Sequence, residues 1–531
     1  MPRARPFLVL LGAHLVTCLG VRVGAVENPA WEALRGLPIR GIEIVAREVF
    51  DPAQPGEGNA FTGLANALHM RTRDSVIRRE LLFAEGDAFD PLLVDETARN
   101  LRNLGIFQDA LIEAERTADG VRIRVLTADR WTTRFLTGLR KEGSIYSLKL
   151  GLENSNFLGR AAFLGGSVVA SNDIDALQFG ARDPRLLGSR WDVGYAYAQD
   201  ELALLNEVIV RRPFFSELVH YTADLNYRSA RGGRRLFAAG AATDTLDVDE
   251  TAGEVFLAGH AQAPVRSRWG VLFSRRSLGR EVSGEQAVVG LVAAILRRDY
   301  RSFQNIDRFA VNEDIGSGWT FQLGAGADLH ALGADYDRPF WRADLSGASF
   351  LGQSTLLGVY FRHHGLLREG RVENGRFVAE TYGFWQQSRH QTLAWSLGSS
   401  VLIREPPYYQ FQLGGDNRLR GYEARHDDGT RALWLNLEDR LFSDLRLFFV
   451  RFGAVAFLDV GQAWYPGDVV GLDAVDVGGG VGIRIGHNKA GLGVTRVDFA
   501  FGRGSFEVLF SSGSFFRVAR GLEYATPTLL R

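Results

Sequence analysis

From residue 130 onward the chain alternates apolar and polar positions with a period of two. Tyr146, Leu148, Leu150 and Leu152 are interleaved with Ser147, Lys149, Gly151 and Glu153; Trp191, Val193, Tyr195 and Tyr197 with Asp192, Gly194, Ala196 and Ala198; Tyr221, Ala223, Leu225 and Tyr227 with Thr222, Asp224, Asn226 and Arg228. Towards the end, Val481, Ile483 and Ile485 alternate with Gly482, Arg484 and Gly486, and Val497, Phe499 and Phe501 with Arg496, Asp498 and Ala500. Successive side chains of a strand point to opposite faces, so the pattern predicts strands with one apolar and one polar face. A soluble sandwich writes the same alternation. Strands of about ten residues, sustained over roughly 400 residues, instead predict a transmembrane barrel with its apolar face to lipid and its polar face to the lumen. Closure also removes the free edges that lipid does not tolerate. The alternating segments number up to about twenty, within the range of such barrels. Three long connections, Arg231 to Glu250, Tyr300 to Asp314 and Pro406 to Thr430, are expected as extracellular loops.

Before residue 130 the pattern differs. Ile39, Ile42 and Ile44 predict a short strand, and the Pro- and Gly-rich Asp51 to Gly58 a loop. A helix is expected from Thr72 as N-cap through Val76, Ile77, Leu81 and Leu82, ended by Glu85-Gly86-Asp87. A second has Asp90 as N-cap, Pro91 in its first turn, Val94, Ala98, Leu101 and Leu104 on one face, and Gly105 to close it. Strands Gln108 to Ala114 and Val121 to Leu126 follow, joined at Asp119-Gly120, giving the order βααββ. At the extreme N-terminus, Arg3 and Arg5, the apolar Phe7 to Leu19 and the small residues Val23-Gly24-Ala25 predict a signal peptide over 1–25. Cys18, the single cysteine, falls inside it, so the mature chain has no thiol for a disulfide or a metal.

Charge and composition narrow the functions. With 61 Lys+Arg against 62 Asp+Glu the net charge is −1, which gives no reason to expect nucleic acid. Apart from the N-terminus no apolar run approaches the roughly 18 residues of a spanning helix. The 61 glycines, two methionines and abundant aromatics fit strands with tight turns and aromatic belts. For catalysis little is on offer. His363-His364 is the only close histidine pair, and adjacent strand residues face opposite ways, which suits no shared metal. Arg425-His426-Asp427-Asp428-Gly429 reads as solvated charge, no serine–histidine spacing stands out, and no glycine loop is placed to cradle phosphate. No enzyme activity, cofactor or metal is expected.

Three motifs carry the chemistry instead: Leu419-Arg420-Gly421-Tyr422, then Glu438 within Asn436-Leu437-Glu438-Asp439-Arg440, then Phe457-Leu458-Asp459-Val460-Gly461. An arginine folded into a lumen needs a carboxylate, and Arg420 is expected to pair with Asp459. Strict alternation puts Asp459 on one face with Val455 and Phe457, so a bulge near Gly461 is expected to relieve the conflict.

The βααββ order, with Glu85-Gly86-Asp87 and Asn100-Leu101-Arg102-Asn103-Leu104-Gly105-Ile106-Phe107, resembles a polypeptide-transport-associated (POTRA) domain. Together with the Arg-Gly-aromatic and Phe-x-Asp-x-Gly motifs and Arg496-Val497-Asp498-Phe499-Ala500, it makes nearly the whole mature chain similar to the outer-membrane insertase superfamily of BamA, TamA and the two-partner secretion transporters, the bacterial surface antigen family. The resemblance implies a mainly β fold: one POTRA domain over 36–129, in the periplasm, and an antiparallel transmembrane β-barrel of about sixteen strands over 130–516. A C-terminal tail, 517–531, departs from the family's habit of ending at an aromatic residue. The resemblance further implies Arg420 at the tip of a loop in the lumen against Asp459, Gly421 for the turn, Tyr422 on the inner wall and Glu438 as a further acidic partner. The implied function is insertion or translocation of β-rich polypeptides at the bacterial outer membrane. Its partners are unfolded or β-rich clients, outer-membrane lipid and accessory periplasmic proteins, and its lateral seam lies between strands near Thr132 to Leu139 and Ser505 to Phe510. The alternative is an outer-membrane channel or surface-interaction barrel without insertase activity.

Overall fold

Residues 29–50, 59–142, 144–216, 219–238, 240–261, 266–415, 417–447, 450–468, 470–487, 493–512 and 515–516 are described by a computed structural model of the chain. The signal peptide with Cys18, the Asp51 to Gly58 loop and the tail over 517–531 lie outside these residues.

The first unit comprises α1 (Pro29–Glu32), β1 (Ile39–Arg47), α2 (Ala60–Leu68), α3 (Asp74–Glu80), α4 (Pro91–Asn103), β2 (Phe107–Arg116) and β3 (Val121–Asp129). Its sheet order is β1-β3-β2, with β1 parallel and β2 antiparallel to the central β3. Ile77, Phe89, Val94, Leu101 and Ile106 from the helical side pack on Ile39, Ile123 and Val125. The α4 boundaries follow the expected caps: the Asp90 side chain accepts from Leu92 N, Pro91 opens the helix, and Gly105 beyond it has φ 72°. The other helix differs. Thr72 is no cap; its amide donates to Asp129 Oδ2 and its hydroxyl accepts from Asn156 Nδ2, so it ties this unit to the strands that follow. Helix α3 stops at Glu80, and Glu85-Gly86-Asp87 forms a turn against β1, Gly86 N donating to Ile39 O. The additional helix α2, absent from the expected order, is short and lacks a polar/apolar period long enough to read.

The second unit is a closed antiparallel barrel of twenty strands. In chain order they are β4 (Thr133–Glu142), β5 (Ile145–Phe157), β6 (Ala162–Ser171), β7 (Ala176–Asp183), β8 (Asp192–Asp200), β9 (Ala203–Arg212), β10 (Tyr221–Ala238), β11 (Ala241–Ala261), β12 (Arg266–Arg280), β13 (Gly284–Phe303), β14 (Glu313–Asp328), β15 (Arg338–Leu351), β16 (Thr355–Arg368), β17 (Arg371–Ser388) and β18 (Gln391–Ile403). A loop bearing the two-stranded β19 (Phe411–Leu413) and β20 (Asp427–Gly429) follows. The wall is completed by β21 (Arg431–Leu447), β22 (Val450–Trp464), β23 (Asp476–His487), β24 (Gly493–Gly502) and β25 (Ser505–Ser512). The expectation of about sixteen strands is therefore corrected to twenty. Each alternating segment forms its own strand, and Phe340 to Leu366 is one hairpin, β15–β16.

The alternation divides the faces as expected. Leu148, Leu150, Leu152, Trp269, Leu291, Val481, Ile483 and Phe501 are exposed on the outside, whereas Asp224, Glu254, Arg342, Glu438, Arg484 and Asp498 are buried inside. Two of the three predicted extracellular loops are corrected. Arg231 to Glu250 is a hairpin tip of β10–β11 pairing, with one register shift between Leu236 and Phe237, because polar residues in long strands look like loop. The 304–312 connection lies at the mouth that carries the first unit: Asp314 beside it receives Arg102 Nε at 2.6 Å, and Asn312 donates to Asp109 at 3.2 Å. At the same mouth Glu80, buried, receives Arg185 through two bonds of 2.6 Å and Arg190 at 3.0 Å, and Glu96 receives Ser216. The connection 404–430 leaves the opposite mouth.

The wall is not paired uniformly. Strand β24 pairs with β25 from Thr495–Ser512 to Gly502–Ser505, and β4 with β5 from Thr133–Asn154 to Glu142–Ile145. Between β25 and β4, among the described residues, the register holds one pair, Phe510 opposite Lys141, beside an ion pair of Lys141 with Glu507.

Candidate functional site

The loop after β18 folds down into the barrel and brings Arg420 against the inner wall of β21 to β24. Its guanidinium is fully buried. Nε and Nη2 grip Asp459 at 2.7 and 2.9 Å, a two-pronged fork, while Nη1 reaches Glu438 at 2.7 Å and lies 3.6 Å from Asp498. The Arg420 amide also donates to Asp459, at 3.1 Å. Bidentate, charge-assisted bonds of this kind are the strongest polar contacts a protein makes. The guanidinium carbon also lies over two rings, 3.7 Å from the centre of Phe457 and 4.1 Å from that of Phe515.

Every carboxylate in the cluster has a second partner. Asp459 accepts from Asn436 Nδ2 at 2.7 Å, and the same amide holds the loop through Arg418 O. Glu438 accepts from Arg440 Nε at 2.8 Å, and Asp498 from Arg484 and Arg496. Arg440 extends the network to the other mouth, donating to Asp307 at 2.6 Å and to Phe516 O at 2.9 Å. Arg420, Arg440, Arg484 and Arg496 thus face Asp307, Glu438, Asp459 and Asp498, so the buried charges balance.

The motif residues divide the work. Gly421 has φ 96°, a left-handed turn, and its carbonyl accepts from Ser505. Tyr422 donates to Val477 O at 2.9 Å and accepts from Val477 N and Arg503 N. Leu419 packs with Leu413, Trp434 and Ala463. No bulge turns Asp459 inward: β22 and β23 stay in register from Val450 to Gly461. The conflict is resolved by burying the apolar pair instead. Phe457 carries the guanidinium, and Val455 packs with Ala500 and Leu509. Gly461 serves by being small, since a Cβ there would lie 3.2 Å from Leu413 and 3.3 Å from Leu419.

Sequence reasoning gave no role to Asn436, Asp498, Phe515 or the glycines of β23. Asn436 and Asp498 share the inward parity of Glu438 and Arg484, which is a readable signal; Phe515 had none. Glycines 478, 480 and 482 make the inner wall recede under the loop. A Cβ on Gly478 would lie 2.1 Å from Arg420 O, and one on Gly482 2.1 Å from Asp498 Oδ1. Gly478→Ala is therefore expected to lift the loop tip and lower stability by about 1–3 kcal/mol, the usual cost of overpacking. The midpoint of denaturant unfolding in detergent measures it, and an unchanged midpoint would mean that the tip does not need this gap.

His426, beyond the tip, lies against Tyr422 with ring centres 4.7 Å apart and planes tilted by 34°, and bonds Asp476 through Nε2 at 3.1 Å. The bond to Asp476 raises its pKa above the ordinary 6.5. A raised folded value means that the contact is fully present below about 6.5 and fades as pH climbs through the higher folded value. Loop opening, followed as current fluctuations in a planar bilayer, is expected to become more frequent as pH rises through that window, and His426→Gln to flatten the dependence. The other members of that segment are internally occupied: Asp427 accepts from Ala463 N and Asp428 from Tyr465 OH. His363 and His364 fall on opposite faces, His363 accepting from Trp341 Nε1 and His364 standing opposite Arg342.

No family model matches the chain. Over 50 residues it is 46% identical to the outer membrane protein assembly factor BamA of Neorickettsia risticii, a match that spans 9% of this chain and 7% of that one. Among solved structures, BamA from Haemophilus ducreyi lacking POTRA domains 1–3 aligns over 90% of this chain and 84% of its own at 14% identity and TM-score 0.39. CdiB from Acinetobacter baumannii and from Escherichia coli each align over 90% of this chain and 74% of their own, at 13% and 12% identity and TM-scores of 0.41 and 0.44. All three superpose loosely. The sequence likeness that the chain carries is thus to an outer-membrane assembly factor, over one short segment.

Proposed function

We propose that this chain is an outer-membrane β-barrel of the BamA and TamA kind that assists insertion or translocation of β-rich polypeptides. The observation that carries the reading is the seam: the strands flanking it are paired along their length, while among the described residues β25 and β4 meet in register at Phe510 and Lys141, beside the Lys141–Glu507 ion pair. Among the described residues no other interface of the closed wall is paired at so few positions, so a client strand gains backbone partners here at the smallest loss. The segment matched to BamA and the apolar outer face support the same reading.

In this mechanism residues 36–129 act as a periplasmic POTRA domain. Its sheet has two edges, β1 and β2, and an extended client adds to one of them by backbone hydrogen bonding. The client then passes to the seam, where the edge of β25 or β4 templates its first strand. Accessory periplasmic proteins would dock on the same domain. The Leu419 to Tyr422 tip, held by Asp459 and Glu438, stiffens the wall β21 to β24 beside the seam, so that opening is confined to β25 and β4. The lumen against that wall is filled by the loop, the 304–312 connection and Phe515–Phe516, which counts against a passive channel.

Insertion of a β-barrel client into proteoliposomes containing the full chain, or a chain lacking residues 36–129, tests the proposal. Insertion should occur with the first and be abolished with the second. Equal insertion by both would remove the POTRA role, and no insertion by the full chain would remove the function.

A further inference from the structure

A second polar cluster stands on the inner wall away from Arg420, and its charges do not balance. Two adjacent cross-strand rows compose it: Arg342, His364 and Arg376 stand directly opposite one another across β15, β16 and β17, and Gln322, Asp344 and Arg362 across β14, β15 and β16. The rows are two residues apart on β15, so all six side chains share the inner face, within a patch that spans four strands, three strand spacings or about 14 Å. Asp344 takes both Arg342 and Arg362. Arg376 lies above the Phe411 ring, 5.9 Å from its centre.

Arg342 is among the largest fully buried side chains of the protein, yet its Nη1 has no hydrogen-bond partner among the described residues. Arg376 Nε, Gln322 Nε2 and His364 Nδ1 are buried without a partner in the same patch. Arginine keeps its charge at any accessible pH and offers only donors. Three guanidinia against the one carboxylate of the patch therefore leave a surplus of positive charge and several unmet N–H groups, an arrangement that is costly unless an acceptor fills it. Even with Glu405, whose charge is felt nearby, the patch stays cationic.

We propose that this patch is a binding site for a phosphate-type oxyanion. The N–H groups of Arg342 and Arg376 approach from the ends of one row and the amide of Gln322 from the next, so the acceptor must present oxygens in more than one plane. A tetrahedral phosphate does so, and guanidinium edges match its oxygens in pairs. The source is either free phosphate or the phosphorylated headgroup of an outer-membrane lipid.

The full chain in detergent would be titrated with inorganic phosphate and, separately, with nanodiscs that contain or lack lipid A, following intrinsic Trp fluorescence and 31P linewidth. Saturable phosphate binding is expected, weakened at least tenfold by Arg342→Gln and by Arg376→Gln and unchanged by Arg371→Gln. Displacement of phosphate by lipid A nanodiscs alone assigns the headgroup, and its absence the free ion. Should burial make Arg342→Gln fail to fold, Arg376→Gln, at a half-exposed position, carries the test. Lack of saturation with either probe, or equal affinity in folded variants and wild type, would overturn the site.

Discussion

Arg420→Ala is expected to lower the stability of the barrel by roughly 3–5 kcal/mol, the usual consequence of removing one member of a buried ion pair. The substitution leaves Asp459 with Asn436 and the backbone amide of residue 420, Glu438 with Arg440 and the more distant Arg484, and a void beside Phe457 and Phe515. Four buried charges of each sign become three against four, and water must enter to solvate the remainder. The loop loses its anchor on the wall, so single-channel conductance in a planar bilayer should rise together with the fall in unfolding midpoint. Arg420→Lys separates charge from geometry: it keeps the positive charge but cannot bond both oxygens of Asp459 and Glu438 at once, and should fall between. If Arg420→Ala leaves conductance and midpoint where they were, the loop is not held by this contact.

A disulfide between Lys141→Cys and Phe510→Cys should abolish client insertion, with full recovery on reduction. The two positions are directly opposite across the seam, and opposite pairs in an antiparallel ladder fall within the roughly 4.4–6.8 Å that a disulfide spans. The single natural cysteine, Cys18, precedes the barrel and can be replaced without touching it. The control is a pair of the same kind across a fully paired interface, Arg140→Cys with Ser147→Cys between β4 and β5. Insertion that survives the oxidised seam, with the bond confirmed by gel mobility, would mean that clients do not use it.

Legibility in the sequence followed the range of the interaction. The βα segment at Asp90, Pro91 and Gly105 was read correctly because caps act within one turn. Thr72 was misread for the converse reason: a threonine before an apolar period looks like a cap, and only its distant partners Asp129 and Asn156 show otherwise. Alternation gave the two faces of each strand, and counting it segment by segment gave about twenty, which family likeness alone reduced to about sixteen. The site was partly legible. Arg420, Asp459 and Glu438 stood in motifs, and the structure brings them together, but the anticipated bulge at Gly461 does not exist. A one-dimensional pattern treats Phe457 as misplaced in a polar lumen, whereas three dimensions put a guanidinium on its face.

The sequence by itself determined the strands, which residues of each face inward, and the small α+β unit ahead of them, because periodicity and capping depend on neighbours a few residues apart. Only the tertiary structure decided that the seam between β25 and β4 is thinly paired, that Phe515 returns to cover Arg420, that four arginines and four carboxylates cancel on one wall, and that three arginines outnumber a carboxylate on another. Those outcomes depend on which strands become neighbours after closure, and charge balance in a lumen is a sum over residues that the chain keeps tens of positions apart, from Asp307 to Asp498 in the larger cluster.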